Sequence, residues 1–159
     1  MRSRATASLR ILHEQRLRYV CAAVSHGHAC MPDPGDPESI ARTATGRVLY
    51  ATQPGNDVTL PDCWTRREWR SLRESLRDPR ATVVDQQDAV AGICCVSAPV
   101  WWPNEACAGA VTVTVHSDDL SAGLPALLSS TACRIGAALQ QLSRSNVGVP
   151  ERHACGSLA

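Results

Sequence analysis

The chain has 159 residues, 44% of them apolar and 19% charged, with a net charge of +1. This is the size and composition of one globular domain, and it excludes a disordered chain and an overall basic surface for nucleic acid. No apolar run reaches the roughly 18–20 residues that a membrane helix needs, and the N-terminus lacks the apolar core of a signal peptide. We therefore expect a cytoplasmic protein whose eight cysteines are free thiols.

The first elements predicted along the chain are two strands. Residues alternate between apolar and polar in Ser8–Leu12 and again in Leu17–Val24, with four polar residues between the two runs. This pattern is typical of a β-hairpin. Residues 25–37 contain three prolines, with His, Gly and Asp among them, which predicts a loop.

Two helices are predicted next. Asp36-Pro37-Glu38 combines an N-cap oxygen, a proline at the first helical position and an acid in the first turn. Apolar residues then recur at helical spacing, which predicts one helix through Ile40, Ala44, Val48 and Ala51. Thr65 and Glu68 form a capping-box pattern, followed by an apolar stripe of Trp69, Leu72 and Leu76.

The second half of the chain predicts strands and a final helix. Short β-rich runs occupy residues 81–84 and 93–100, and residues 110–115 alternate between apolar and hydroxyl side chains. The last two runs pair naturally as an antiparallel hairpin around a turn at residues 101–105. A helix follows, with an apolar face of Leu124, Leu128, Ile135, Leu139 and Leu142. Helices grouped on a mostly antiparallel sheet indicate an α+β fold.

This order of elements resembles the effector-binding domain of the IclR family of bacterial transcription regulators, whose fold is GAF-like. The most specific stretch is Asp85–Val100, with an acidic cluster, a glycine, and a Cys-containing strand that ends in Ala98-Pro99-Val100. Upstream, residues 41–51 resemble the family's helix with the motif Thr-Ala-x-Gly-Lys/Arg. The resemblance implies a GAF-like antiparallel sheet with helices packed on it.

The resemblance also implies the limits of the domain. We expect a disordered start over residues 1–6, the effector-binding domain over residues 7–143 and a flexible tail over residues 144–159. IclR regulators carry an N-terminal winged helix-turn-helix, and no match to it precedes the first strand. The loop at residues 25–37 stands where the family usually has a further strand. We therefore expect that this chain does not bind DNA directly and regulates transcription only with a DNA-binding half.

The site residues follow motif by motif from the resemblance, which places an effector between the sheet and the Thr-Ala-x-Gly helix. The implied effector-binding residues are Ala44, Thr45, Asp85, Cys95, Thr112 and Thr114. Thr112 and Thr114 are two residues apart on one strand, so their hydroxyls face the same side. A small polar cavity with backbone N–H groups near Thr45 and Gly46 suits a small organic acid. Two simpler interpretations remain open: the threonines form an ordinary solvent face, and Asp85 caps a turn.

Several other patterns have competing interpretations. Cys94 and Cys95 with His116 suggest a thiol nucleophile, and several cysteines on a GAF-like fold resemble the free-methionine-sulfoxide reductases. His26, His28 and Cys30, with Asp33 and Asp36, suggest a metal site, although a solvated loop explains them as well. The arginine stripe of the second helix, Arg66, Arg70, Arg73 and Arg77, is interpreted as a solvated face with interleaved acids.

The tandem tryptophans Trp101 and Trp102 at the predicted hairpin tip suggest a subunit interface. The sequence thus predicts a small-molecule sensing domain that is not an enzyme and needs no metal or cofactor. Its partners would be a small-molecule effector and either copies of itself, as a homodimer or tetramer, or a full-length regulator of the family. An oligomerisation module with a vestigial pocket is the alternative, and a thiol-dependent redox enzyme is a further one.

Overall fold

The computed structural model describes residues 5–25, 35–54, 62–116 and 120–146. These residues form five strands and four helices. The strands are β1 (Ala5–His13), β2 (Arg16–Val24), β3 (Val83–Gln86), β4 (Ile93–Trp101) and β5 (Cys107–His116). The helices are α1 (Pro37–Arg42), α2 (Ala44–Ala51), α3 (Arg66–Ser75) and α4 (Leu124–Asn146). The α+β architecture is as predicted. The predicted domain limits of 7 and 143 stay a prediction, although β1 already includes Ala5 and Thr6 and α4 continues to Asn146.

The strands form one open antiparallel sheet in the order β2-β1-β5-β4-β3. Both predicted hairpins, β1–β2 and β4–β5, are confirmed. The turn of the first hairpin places Glu14 and Gln15 at φ values of 51° and 58°. Two consecutive positive φ values are typical of the tight turn whose twist matches that of its strands.

Helices cover both faces of the sheet and create two apolar clusters. On one face, α1, α2 and α3 pack through residues such as Ile40, Val48 and Leu76. On the other face, α4 packs Leu128 and Ala132 against β4 and β5. Strands β1, β3, β4 and β5 therefore send alternate side chains into different environments, whereas the edge strand β2 is exposed except at Leu17.

The helix predicted from Ile40 to Ala51 is two helices. Thr43 has φ −75° and ψ 150°, which ends α1, and its side chain accepts a hydrogen bond from the Gly46 N–H at 3.0 Å, which caps α2. A Cβ atom at Gly46 would lie 1.9 Å from the Ile40 carbonyl oxygen, so only glycine allows α1 and α2 to meet this closely. The periodicity was continuous across this break because both helices bury their apolar residues on the same side.

Two boundaries and the burial of one residue also differ from the prediction. The short strand lies at Val83–Gln86, two residues later than predicted, so Asp85 is part of the sheet. Trp101 ends β4 and is not part of the turn. Leu142 is 61% exposed, so it does not extend the buried stripe of α4. These features depend on pairing or packing with distant segments of the chain. The local sequence pattern therefore does not predict them.

The predicted capping box at the start of α3 is confirmed. Thr65 and Glu68 exchange side chain-to-backbone hydrogen bonds, and Trp69 and Leu76 are buried. Of the arginine stripe, Arg66, Arg70 and Arg77 are exposed and Arg73 is half-buried. None of the helices within the described ranges combines the length and apolar character of a membrane span.

Candidate functional site

The face of the sheet covered by α2 carries two rows of polar side chains, here called the polar face. Cys95 on β4 lies directly opposite Thr114 on β5, and Ser97 lies opposite Thr112. Directly opposed residues of an antiparallel pair point to the same side. The predicted grouping of Cys95 with the two threonines is thus present in the fold.

A chain of hydroxyl groups connects α2 to this face. The Oγ1 atoms of Thr45 and Thr112 are 2.8 Å apart, and the Ser97 Oγ is 2.9 Å from the same Thr112 oxygen. All three side chains are buried. Thr112 is therefore not part of a solvent face, which was the simpler interpretation of its alternating strand. The hydroxyl chain thus joins α2 to strands β4 and β5.

Strand β1 extends the polar face with residues that the sequence reasoning missed. Thr6 lies opposite Thr114, Ser8 lies opposite Thr112, and Arg10 follows two residues later on the same side. All three are buried. The available signal was the alternation of polar residues with Ala7, Leu9 and Ile11. That pattern is the same for a solvent face and for a covered polar face, because local sequence does not reveal what lies above a strand.

The side-chain hydroxyl of Thr6 is buried in this face without a hydrogen bond. It is only 4% exposed, and its Oγ1 has no hydrogen-bond partner. Buried hydroxyl groups in native proteins nearly always have a partner, since leaving one unpaired costs about 1–3 kcal/mol. An unpaired buried hydroxyl beside Thr114 is therefore a position where a ligand atom would gain a hydrogen bond.

Arg10 brings a positive charge to the same face. Its Nε donates to the Ser8 Oγ at 3.3 Å, its guanidinium also bonds to the Tyr19 hydroxyl, and its Cζ lies 4.1 Å from the centre of the Tyr19 ring. The planar guanidinium has five N–H donors and matches the geometry of a carboxylate. A cation beside several hydroxyl groups favours a small anion over an apolar ligand.

Asp85 borders the polar face opposite Cys95 and has a structural role as well. Its Oδ1 accepts a hydrogen bond from the Asp88 N–H at 2.8 Å, so the turn-capping interpretation is confirmed. Asp88 in turn pairs with Arg47 of α2 at 2.9 Å. Burial raises the pKa of the Asp85 carboxyl, while the Asp88 N–H and the Arg47 charge oppose that rise.

Cys95 does not have the environment of a nucleophile. Its Sγ lies 3.4 Å from the Thr114 hydroxyl. Burial raises the pKa of the thiol, and the hydrogen bond from Thr114 only partly offsets this effect. A raised pKa keeps the sulfur protonated at neutral pH, whereas thiol catalysis needs the thiolate.

The start of α2 contributes fewer groups to the polar face than the sequence predicted. Ala44 is completely buried at the first position of the helix. The Gly46 N–H is occupied by its cap, Thr43, so it is not free for a carboxylate. The side-chain hydroxyl of Thr45 is the direct link between α2 and the polar face.

Two other groups of residues were singled out in the sequence. His26, His28, Cys30 and Asp33 fall outside the described residues, and Asp36 caps α1 by accepting from the Ser39 N–H at 2.8 Å. Among the residues that the structure describes, no three His, Cys, Asp or Glu side chains are grouped as metal ligands. Trp101 is half-buried, and Trp102 is 40% exposed.

The solved structures that match this chain include domains of transcription regulators. Pseudomonas aeruginosa HmgR matches 85% of this chain and 59% of its own length, with 19% identity and a TM-score of 0.70. A domain of an IclR-family transcriptional regulator matches 84% of this chain and 86% of its own, with 16% identity and a TM-score of 0.64.

A third match is the inducer-binding domain of Acinetobacter PobR, a double mutant in complex with 3-hydroxybenzoic acid. It covers 82% of this chain and 87% of its own, with 15% identity and a TM-score of 0.61.

No family model and no curated protein matches the sequence. The chain spans about three fifths of the length of HmgR and most of the length of the two separate domains. This chain has the fold of the effector-binding domains of IclR-family transcription regulators.

Proposed function

We propose that this chain is the small-molecule sensing domain of an IclR-type transcription regulator, and that its effector is a small organic acid bound at the polar face. The domain would regulate transcription in the cytoplasm together with a DNA-binding half. The observation that carries the proposal is the buried, unpaired hydroxyl of Thr6 within a face of hydroxyl groups and an arginine. A solved domain of the same fold is described as an inducer-binding domain and holds an aromatic acid, which supports the same ligand class.

The expected contacts follow from the chemistry of the side chains. The guanidinium of Arg10 would pair with the carboxylate, and the hydroxyls of Thr6 and Thr114 would bind its oxygens or a hydroxyl group of the ligand. Thr45, Cys95 and Asp85 would line the remainder of the site, next to Ala44. Burial of a carboxylate is favourable only with such paired donors.

The proposal excludes catalysis by Cys95. A thiol with a raised pKa beside a threonine hydroxyl is suited to contact a ligand and not to attack it. The solved proteins of this fold named above are regulator domains, in agreement with a binding role.

The test is a ligand screen by thermal shift with benzoate, 3-hydroxybenzoate, pyruvate and gluconate. A ligand at about one hundred times its Kd adds about 2.7 kcal/mol to the free energy of unfolding, which raises Tm by roughly 5–10 °C for a domain of this size. Binding is then measured by calorimetry for the wild type and for Thr6→Val, which has nearly the same shape. Because the Thr6 hydroxyl is unpaired, this variant should melt at or above the wild-type Tm without ligand, yet bind about tenfold more weakly or worse.

Thr131→Val is the matched control, since the Thr131 hydroxyl bonds to the Leu127 carbonyl of its own helix, remote from the polar face. It should leave the affinity unchanged. If no acid stabilises a protein that melts cooperatively, the sensing role is refuted and an interaction module with a vestigial pocket becomes the better interpretation. If an acid binds with the same affinity in Thr6→Val, the polar face is not its site.

A further inference from the structure

The C-terminal end of α2 borders a cavity that is separate from the polar face. This cavity, here called the end cavity, has a volume of about 300 Å³. It lies where the ends of α2 and α3 meet the turn between β4 and β5, and its lining includes Ala51, Thr52, Leu76, Arg77, Trp101 and Glu105. None of the polar-face residues described above lines it. Its volume is at the lower limit for the sites of small molecules.

Two opposite charges line the end cavity without meeting each other. Arg77 follows the last turn of α3, and Glu105 belongs to the turn between β4 and β5. Among the residues that the structure describes, no ion pair joins these two side chains. Arg73 adds a second guanidinium to the lining and donates a hydrogen bond to the Gln53 carbonyl at 3.5 Å. The end cavity therefore presents cationic groups and an anionic group with space between them.

The backbone at Glu105 is unfavourable for a glutamate. Its φ of 64° lies in the left-handed region, where Gly, Asn and Asp are the usual residues of a hairpin turn. Asparagine would adopt this conformation with less strain. The fold itself therefore gives no reason for a glutamate at this position.

Trp101 contributes an apolar wall and an unpaired hydrogen-bond donor. It is half-buried at the end of β4, and its Nε1 is buried without a partner. A buried indole N–H usually has a partner, so an acceptor from a ligand beside this ring would supply the missing contact. Ala51 and Leu76 are buried apolar residues of the same lining. The end cavity thus combines apolar walls with opposite charges.

We propose that the end cavity binds a free α-amino acid with an apolar side chain. The carboxylate of the amino acid pairs with the Arg77 guanidinium, and its ammonium pairs with the Glu105 carboxylate. Its side chain packs against Leu76 and Trp101. The Thr52 hydroxyl donates to the Val48 carbonyl at 2.8 Å, so its lone pairs remain available to accept from the ammonium.

Other classes of ligand leave one of these charges uncompensated. Inorganic phosphate or a simple carboxylate pairs with Arg77 and is repelled by Glu105, whereas for a simple amine the two effects are reversed. A zwitterion satisfies both groups. This site does not depend on the organic acid proposed for the polar face, because the two sites share no residue and lie at opposite ends of α2.

The first experiment is calorimetry of the full chain with L-leucine, L-methionine and L-phenylalanine. We expect at least one of them to bind with a Kd below about 1 mM. The amino acid that binds best then competes with two analogues, one without the ammonium and one without the carboxylate. For leucine these are 4-methylpentanoate and 3-methylbutylamine.

Each analogue should displace the amino acid at least about tenfold less well than the amino acid itself, since one charged group of the end cavity stays unpaired. Two results would overturn the proposal. The first is that none of the three amino acids binds at about 10 mM, and the second is that an analogue competes as well as the amino acid.

Substitutions locate the site. Arg77→Gln and Glu105→Asn should each weaken binding by about tenfold or more. Glu105→Asn should melt at or above the wild-type Tm, because Asn is favoured at a positive φ, so a loss of binding would not be a loss of folding. The matched controls are Arg70→Gln and Glu74→Gln, which change exposed residues of α3 outside the end cavity and should leave the affinity unchanged. Wild-type affinity in Arg77→Gln or Glu105→Asn would overturn the proposal, and so would weaker binding in Thr6→Val, which would place the amino acid at the polar face.

Discussion

Replacing Thr112 by valine tests whether the hydroxyl chain between α2 and the sheet stabilises this fold. Valine has nearly the shape of threonine, so the change removes the hydroxyl and little else. The variant loses the 2.8 Å contact to Thr45 and the 2.9 Å contact to Ser97. Thr45 then keeps a buried hydroxyl without this partner, while Ser97 retains a longer contact of 3.4 Å to the Val111 carbonyl. One orphaned hydroxyl and one weakened bond correspond to about 2–3 kcal/mol, or roughly 5–10 °C in Tm.

The assay is urea unfolding followed by tryptophan fluorescence, with Thr114→Val as the matched control. Thr114 makes only a 3.4 Å contact with the Cys95 sulfur, so its substitution should cost less than about 1 kcal/mol. The double variant Thr45→Val/Thr112→Val should be less destabilised than the sum of the single variants, because neither hydroxyl is then orphaned by loss of the other. Equal effects of Thr112→Val and Thr114→Val, or strict additivity in the cycle, would refute the reasoning.

Further predictions concern backbone contact, pH and thiol reactivity. Gly46→Ala should destabilise the fold by about 3 kcal/mol or more in urea unfolding. Gly35→Ala should have little effect, because there is open space around Gly35. Equal effects of the two substitutions would contradict the close contact of α1 and α2. The pKa of the Asp85 carboxyl is raised on folding, so the native state binds the carboxyl proton more tightly than the unfolded state does. The free energy of unfolding should therefore fall as the pH rises from about 4 through the raised pKa. Asp85→Asn should flatten that dependence in a pH series of urea titrations, and an unchanged slope would contradict the burial argument. Cys95 should react with iodoacetamide at pH 7 far more slowly than the exposed Cys21, and mass spectrometry measures both rates. Comparable rates would contradict the raised pKa of the Cys95 thiol.

Part of the candidate site was predictable because strand geometry is local. The two-residue period places Thr112 and Thr114 on one side of β5, and the paired runs make Cys95 their neighbour once β4 and β5 form a hairpin. The contribution of β1 was not predictable in this way. Thr6 and Arg10 join the site because β1 pairs with β5 from more than a hundred residues away, and the sequence contains no local sign of that pairing.

The helices likewise have some features that local sequence predicts and others that it does not. The start of α3 was predictable, since a capping box is formed by residues three positions apart. The break between α1 and α2 carried a weak local sign, Thr43 three residues before Gly46, but continuous apolar spacing concealed it. Leu142 fits the helical stripe of α4 in sequence but is 61% exposed in the fold, and helical spacing alone does not report which turns of a helix are covered.

By itself the sequence determined the element types, the order of the elements, the α+β class and the resemblance to IclR effector domains. These depend on periodicity, capping and turn chemistry, which act over a few residues. Only the tertiary structure decided which polar strand face is covered, that the Thr6 hydroxyl is left unpaired, and that Arg77 and Glu105 line one cavity. Burial depends on what packs from distant parts of the chain, so the same alternating pattern describes a wet surface or a ligand site until the fold is known.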